Sequence, residues 1–118
     1  MKTLVIGAST NPERYAYKAI EKLKSKAHEV VALGRRTGEV AGVSIQTEKR
    51  LFAEVDTVSL YLSPDRQINY YDYIIALNPK RVLFNPGTEN QAFEARLKQH
   101  QIDAQRACTL VLLATNQY

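Results

Sequence analysis

An apolar strand, Lys2-Thr3-Leu4-Val5-Ile6, runs directly into Gly7-Ala8-Ser9-Thr10-Asn11-Pro12-Glu13-Arg14 and then into a helical pattern. A strand that ends on glycine and small polar residues ahead of a helix aims backbone N–H groups, and the positive end of the helix dipole, at one point in space. A phosphate fits that point, so nucleotide binding is the leading expectation. The loop is not the dinucleotide fingerprint G-x-G-x-x-G, because Ser9 and Pro12 stand where its second and third glycines would be.

Downstream, strand and helix patterns alternate. Ala16, Ala19, Ile20, Leu23 and Ala27 fall on one helical stripe. The start of that helix is open between Pro12, with Asn11 as cap, and Tyr15. Glu29-Val30-Val31-Ala32-Leu33 reads as a buried strand stopped by Gly34, and Arg35 to Thr47 as a loop around a short extended piece, Val43-Ser44-Ile45. A short helix is expected over Glu48 to Glu54, then a third strand, Asp56 to Leu62. Ser63-Pro64 marks the next helix, serine as cap and proline in its first turn, with Ile68, Tyr71, Ile74 and Ile75 as packing face and Asn78-Pro79 as its end. Arg81-Val82-Leu83-Phe84 is the fourth strand, and Thr88-x-x-Gln91 has the form of a capping box for a helix that turns Ala92, Phe93 and Leu97 inward. Ile102 to Gln105 gives a fifth strand, and Leu110 to Ala114 closes the chain as a short helix or strand.

Strands joined by helices make right-handed parallel crossovers. The expected fold is therefore α/β: a Rossmann-like, doubly wound three-layer sandwich on a mainly parallel five-stranded sheet of order 3-2-1-4-5, occupying residues 1–118 as one domain. Ligands bind such sheets beyond the carboxyl ends of the strands where the order reverses, here expected between strands one and four. That selects the loops Gly7 to Arg14, Gly34 to Arg36, Leu62 to Asp65 and Asn85 to Asn90.

Composition narrows the partners. A length of 118 residues is expected to fit one domain rather than separate cofactor and substrate domains. No apolar run approaches the roughly 18 residues that span a bilayer, and a strand starting at Lys2 predicts no signal peptide. The net charge of +4 favours anionic partners, yet no basic run is interleaved with aromatics, so nucleic acid is not the expected one. Lys18, Lys22, Lys24 and Lys26 read as the solvated face of one helix. A single cysteine, Cys108, can form neither an internal disulfide nor a thiolate metal site, which points to a reducing, cytoplasmic setting and to no metal.

The second strand ends in Gly34-Arg35-Arg36, where binders of unphosphorylated nicotinamide dinucleotide carry an acid for the ribose hydroxyls. Two guanidiniums suit an additional phosphate on the ribose instead. NADPH, with a 2′-phosphate, and coenzyme A, with a 3′-phosphate, both qualify.

Together, Val5-Ile6-Gly7-Ala8-Ser9-x-Asn11-Pro12-Glu13-Arg14, Glu29-Val30 leading to Arg36, Tyr61-Leu62-Ser63-Pro64-Asp65, Asn85-Pro86-Gly87-Thr88-Glu89-Asn90 and the ending Ala107-Cys108-Thr109-Leu110-Val111-Leu112-Leu113 resemble the stand-alone CoA-binding domain proteins. Their fold is similar to the CoA-binding domain of the succinyl-CoA synthetase alpha subunit. The resemblance implies coenzyme A with its pyrophosphate on the loop of Gly7, Ala8, Ser9, Thr10, Asn11 and Arg14. Ser9 would donate a hydroxyl and Arg14 a charge. Arg36, with Arg35, would face the phosphorylated ribose, Leu62, Ser63 and Pro64 would flank the nucleotide, and Gly87 would let the ligand approach the backbone. By the same resemblance, synthetases of related fold use a phosphohistidine supplied by a further domain, and no such domain is expected within residues 1–118.

No catalytic constellation accompanies these loops. His28 and His100 are expected at the sheet margins, Glu89 as a helix-start cap, and Cys108 as buried packing. The sequence thus reads as a binder of coenzyme A or acyl-CoA without catalysis of its own. Its rivals are an NADPH-dependent oxidoreductase and a protein-interaction subunit that has lost its ligand.

Overall fold

The computed structural model describes residues 1–118. Its elements run β1 (Lys2–Ala8), α1 (Tyr15–Ser25), β2 (Glu29–Gly34), β3 (Gly38–Val40), β4 (Val43–Gln46), β5 (Thr57–Leu60), α2 (Pro64–Gln67), a 3-10 turn (Ile68–Tyr70), α3 (Tyr71–Leu77), β6 (Arg81–Phe84), α4 (Gln91–Gln99), β7 (Asp103–Arg106) and α5 (Thr109–Ala114). One sheet holds all seven strands in the order β3-β4-β2-β1-β5-β6-β7, parallel except for the antiparallel β3/β4 pair.

The α/β class and the mainly parallel sheet match expectation; the strand count and order do not. The strand expected third, now β5, pairs with β1, Val5 opposite Ser59, on the side away from β2. The place beside β2 is taken by β4, with Ile45 opposite Ala32. Val43 and Ile45 turn inward with 6% and 2% exposure while Ser44 faces out, so four residues suffice for a half-buried strand. A tight turn through Ala41 (φ 50°) and Gly42 (φ 81°), both left-handed, folds β3 back antiparallel and closes that edge. The order of the sheet therefore reverses between β1 and β5.

Because successive strand residues face opposite ways, β1 feeds two cores. Leu4 and Ile6 join Val58, Leu60, Val82 and Phe84 under Ile74, Phe93 and Leu97 from α3 and α4. Val5 joins Ala32 and Ile45 under Ala16, Ile20 and Leu23 of α1 and Leu113 of α5. Ile20 and Leu23 are fully buried, which stabilises the fold by about 2 kcal/mol apiece.

Four packing expectations need correction. Ala27 lies past the end of α1 at φ 63° and is exposed. Ile68 is 61% exposed, because a 3-10 turn breaks the expected single helix into α2 and α3 and rotates its face; Tyr73 packs inward instead. Ala92 is exposed, leaving Phe93 and Leu97 as the buried face of α4. No helix forms over Glu48 to Glu54. That segment crosses the fold as a loop, tied down by Tyr73 Oη donating to the Arg50 carbonyl and by Lys49 Nζ donating to the Asn69 carbonyl. No helix of the chain is long and apolar enough to cross a membrane.

Candidate functional site

At the carboxyl end of the sheet, the loops after β1, β2, β5 and β6 surround a cleft of about 660 Å³. Its floor begins at Gly7. This residue sits at φ +94°, and a Cβ there would lie 2.9 Å from the Tyr61 carbonyl oxygen, so only glycine lets the chain leave β1 against β5. Gly34 is equally constrained by space, since a Cβ would stand 2.4 Å from the Ala8 carbonyl oxygen and 2.9 Å from Ile45 Cγ2. The two glycines bring the β1 and β2 loops together.

Between β1 and α1, side chains shape the backbone. Ser9 Oγ accepts from the Asn11 amide at 3.0 Å, and Asn11 Oδ1 accepts from the Glu13 amide at 3.0 Å. Asn11 therefore organises a turn ahead of the helix and does not cap it. Of the two expected starts, α1 takes Tyr15, with Arg14 at the cap position, no side-chain cap and no acid in the first turn. No side chain caps this helix start, Tyr15 and Ala16 of its first turn line the cleft, and Ser9 keeps its hydroxyl proton free to donate.

The lining gathers Gly7, Ala8, Ser9, Thr10, Asn11 and Arg14 from the first loop, Arg35 and Arg36 from the second, Leu62 and Ser63 from the third and Gly87 from the fourth. Thr10 also has a packing task, its methyl lying where a Cβ on Gly38 would collide at 2.4 Å. Pro64 is the exception among the residues singled out from the sequence: it occupies the first turn of α2, outside the lining. Ser63 is the cap residue of α2 as expected, but its hydroxyl donates to Asp65 Oδ1 at 2.7 Å, which holds that exposed carboxyl below its usual range. Gly87, at φ +92°, has open space beside its Cα, and its amide donates to Glu89 Oε1 at 2.9 Å.

Gly34, Pro86 and Thr88, on loops selected from the sequence, also line the cleft, whereas Tyr15, Ala16, Tyr61, Arg66 and Tyr70 lie outside those loops and were missed. Arg66 had a signal, one helical turn after a serine cap on a cleft loop. The lining thus holds four arginines, Arg14, Arg35, Arg36 and Arg66, and no carboxylate. The ion pairs of the protein lie elsewhere, at Lys2–Glu29, Lys80–Asp56, Arg96–Asp72 and Arg106–Glu94. Four unpaired cations around an uncapped helix start make a strongly positive cleft. Tyr61 is mostly buried, and burial pushes its phenol up to about 12.

The capping expectation at Thr88 is overturned. The cap of α4 is Asn90, whose Oδ1 accepts from the Phe93 amide at 3.1 Å while Glu94 Oε2 accepts from the Asn90 amide at 3.0 Å. Thr88 Oγ1 instead donates to the Asn85 carbonyl at 2.8 Å, and Glu89 serves the Gly87 turn rather than the helix. Cys108 is half-buried at the cap position of α5, not fully buried as expected, and does not line the cleft. His28 packs edge-on against Tyr118, ring centres 5.1 Å apart, and His100 caps the end of α4; neither reaches the cleft. No group of three or more His, Cys, Asp or Glu side chains could hold a metal ion.

The family described as the CoA binding domain matches residues 1–114. The chain belongs to that family. Its membership supports coenzyme A binding in general. Among solved structures, an uncharacterized protein is 47% identical, with a TM-score of 0.97 over 99% of this chain and 97% of its own. A Thermus thermophilus protein shares the fold at 21% identity, TM-score 0.87, over 99% of this chain and 90% of its own. The dinucleotide-forming acetyl-coenzyme A synthetase 1 of Ca. Korarchaeum cryptofilum, solved with phosphate and ADP, shares it at 17% identity and TM-score 0.71; the match covers 87% of this chain and 25% of that one. No curated protein matches the chain.

Proposed function

We propose that this CoA-binding domain protein takes coenzyme A or acyl-CoA into the cleft, phosphates first, and has no catalysis of its own. The observation that carries the reading is the set of four arginines without carboxylate partners around the open start of α1. Arg14, the Ser9 hydroxyl and the first-turn N–H groups hold the pyrophosphate, because donors already aimed at one point bind a doubly charged group with little reorganisation. Arg35 and Arg36, beside the backbone contact that Gly34 permits, face the 3′-phosphate of the ribose. Leu62 and Ser63 flank the nucleotide, and the pantetheine arm runs on past Pro86, Gly87 and Thr88.

A binding role suits the lining. Its titratable groups are arginines and tyrosines, and a phenol pushed up to about 12 is a poor proton carrier near neutral pH. An oxidoreductase using NADPH would draw on the same arginines, so ligand competition separates the two.

Thermal unfolding with coenzyme A, dephospho-CoA and NADPH tests the reading, since a ligand that binds only the folded state raises the midpoint. Coenzyme A should raise it most and dephospho-CoA less. Equal shifts for these two would remove the 3′-phosphate argument. A larger shift with NADPH, or none with any of the three, would overturn the function.

A further inference from the structure

Two loops that wall the cleft are joined by one buried side chain. Gln67, the last residue of α2, is 0% exposed. Its Nε2 donates to the Leu62 carbonyl at 2.8 Å, on the loop after β5, and to the Thr88 carbonyl at 2.7 Å, on the loop after β6. Its Oε1 accepts from Asn90 Nδ2 at 2.9 Å, and the same Asn90 amide group donates to Tyr71 Oη at 2.8 Å. The Tyr71 ring stacks on Phe93, centres 4.2 Å apart, which roots the chain of contacts in the core.

An amide in this position is not explained by packing. Leucine or methionine would fill similar volume without needing three partners, and a buried amide costs free energy unless every partner is met. Here all are met: both protons of Nε2 go to carbonyls on different loops, and no buried side-chain nitrogen or oxygen of the protein lacks a partner. The amide does what an apolar side chain cannot, fixing the distance between two backbone carbonyls on opposite loops. Leu62 and Thr88 both line the cleft.

Asn85 anchors the base of the β6 loop, and the tie from Gln67 holds its far part. Thr88 is otherwise held by its own amide and hydroxyl, which both donate to the Asn85 carbonyl within the same loop. Gly87 is at positive φ with nothing beside it, and Pro86 has no amide proton. The first-loop phosphate site, by contrast, is built from β1, α1 and β2, and none of the hydrogen bonds of Gln67 goes to those elements.

We propose that Gln67 is a positioning residue that sets the width of the slot between Leu62 and Thr88, and so governs how tightly the cleft holds the arm of the ligand that leads away from the phosphates. This rests on the coenzyme A reading above. Its consequence is a split in affinity: weakening the clamp loosens the Gly87–Thr88 wall and affects a ligand with the pantetheine arm, while a ligand that keeps the 3′-phosphate and one 5′-phosphate but lacks that arm is spared.

Calorimetric binding of coenzyme A and of adenosine 3′,5′-bisphosphate to the wild type, Gln67→Leu and Gln67→Glu tests this. Gln67→Leu should weaken coenzyme A about tenfold, the scale of one buried hydrogen-bonded link, and leave the bisphosphate within about twofold. In Gln67→Glu the ionised carboxylate would face two carbonyl oxygens it cannot donate to; once protonated it can donate to one. Its coenzyme A affinity relative to wild type should therefore recover as pH falls, while that of Gln67→Leu stays flat. Retained bisphosphate binding reports that each variant is folded. Equal weakening of both ligands would overturn the proposal in favour of a general structural role, and unchanged coenzyme A affinity in Gln67→Leu would overturn it outright. A wild type that binds neither ligand would instead bring down the coenzyme A reading and this proposal with it.

Discussion

The Thr109 amide donates to Asn85 Oδ1 at 2.8 Å, joining the start of α5 to the loop after β6. The Asn85 Nδ2 completes the junction by donating to Ser59 Oγ and to the Leu60 carbonyl, both at 2.9 Å, and Ser59 Oγ lies 2.8 Å from Thr109 Oγ1. Asn85, Ser59 and Thr109 are all at most 2% exposed. Replacing Asn85 by alanine leaves the buried Thr109 amide without its side-chain acceptor and takes a donor from Ser59 Oγ and from the Leu60 carbonyl, so Asn85→Ala should lose about 2–4 kcal/mol of stability. Urea denaturation checks it: the midpoint falls while the slope stays that of the wild type.

Arg36→Ala should weaken coenzyme A by about 10- to 100-fold, the range of a lost charge-assisted hydrogen bond. Lys24→Ala, in the last turn of α1 and outside the cleft lining, should leave it within about twofold. Calorimetry on both variants decides. Normal binding by Arg36→Ala together with failure of Arg35→Ala would shift the phosphate contact by one residue.

Gly34→Ala adds a methyl where the Ala8 carbonyl oxygen would be 2.4 Å away. Backbone cannot yield as a flexible side chain does, so the β1 and β2 loops must separate, at a cost of about 1–3 kcal/mol. Both the unfolding midpoint and coenzyme A affinity should fall. A variant as stable as the wild type would show that the two loops are free to part.

His28 gives stability a pH dependence whose sign follows from its surroundings. Burial, and then the Met1 amino group and Arg81, lower its pKa below the ordinary 6.5. The unfolded chain therefore takes up this proton more readily than the folded one, and the protein should lose stability as pH falls through and below about 6.5. His28→Asn should lose less between pH 7.5 and pH 5 than the wild type does. Denaturant midpoints at the two pH values measure the difference, and identical losses would remove His28 from the account.

Much of the fold is legible in local pattern. The stripe Ala16, Ala19, Ile20 and Leu23, the run Leu4-Val5-Ile6 and the pair Ser63-Pro64 each specify an element through side-chain spacing or backbone chemistry within a few residues. The loops around the cleft follow from the same patterns, because each element boundary marks where the chain emerges. Val43-Ser44-Ile45 was too short to outweigh its glycine-rich surroundings, and its strand character comes from a partner, β2, far away in sequence.

What the sequence determined by itself is the alternation of strands and helices, the glycine at the penultimate position of β1, and the placing of Arg14, Arg35 and Arg36 in the loops after strands, all of which rest on near neighbours along the chain. Only the tertiary structure decided that β4 sits beside β2 and β5 beside β1, that Arg66 joins the other arginines, and that Gln67 bridges Leu62 to Thr88. The physical reason is that hydrogen bonds between strands, and the partners of a buried amide, depend on which surfaces meet after the whole chain has packed. No spacing between neighbouring residues encodes that meeting.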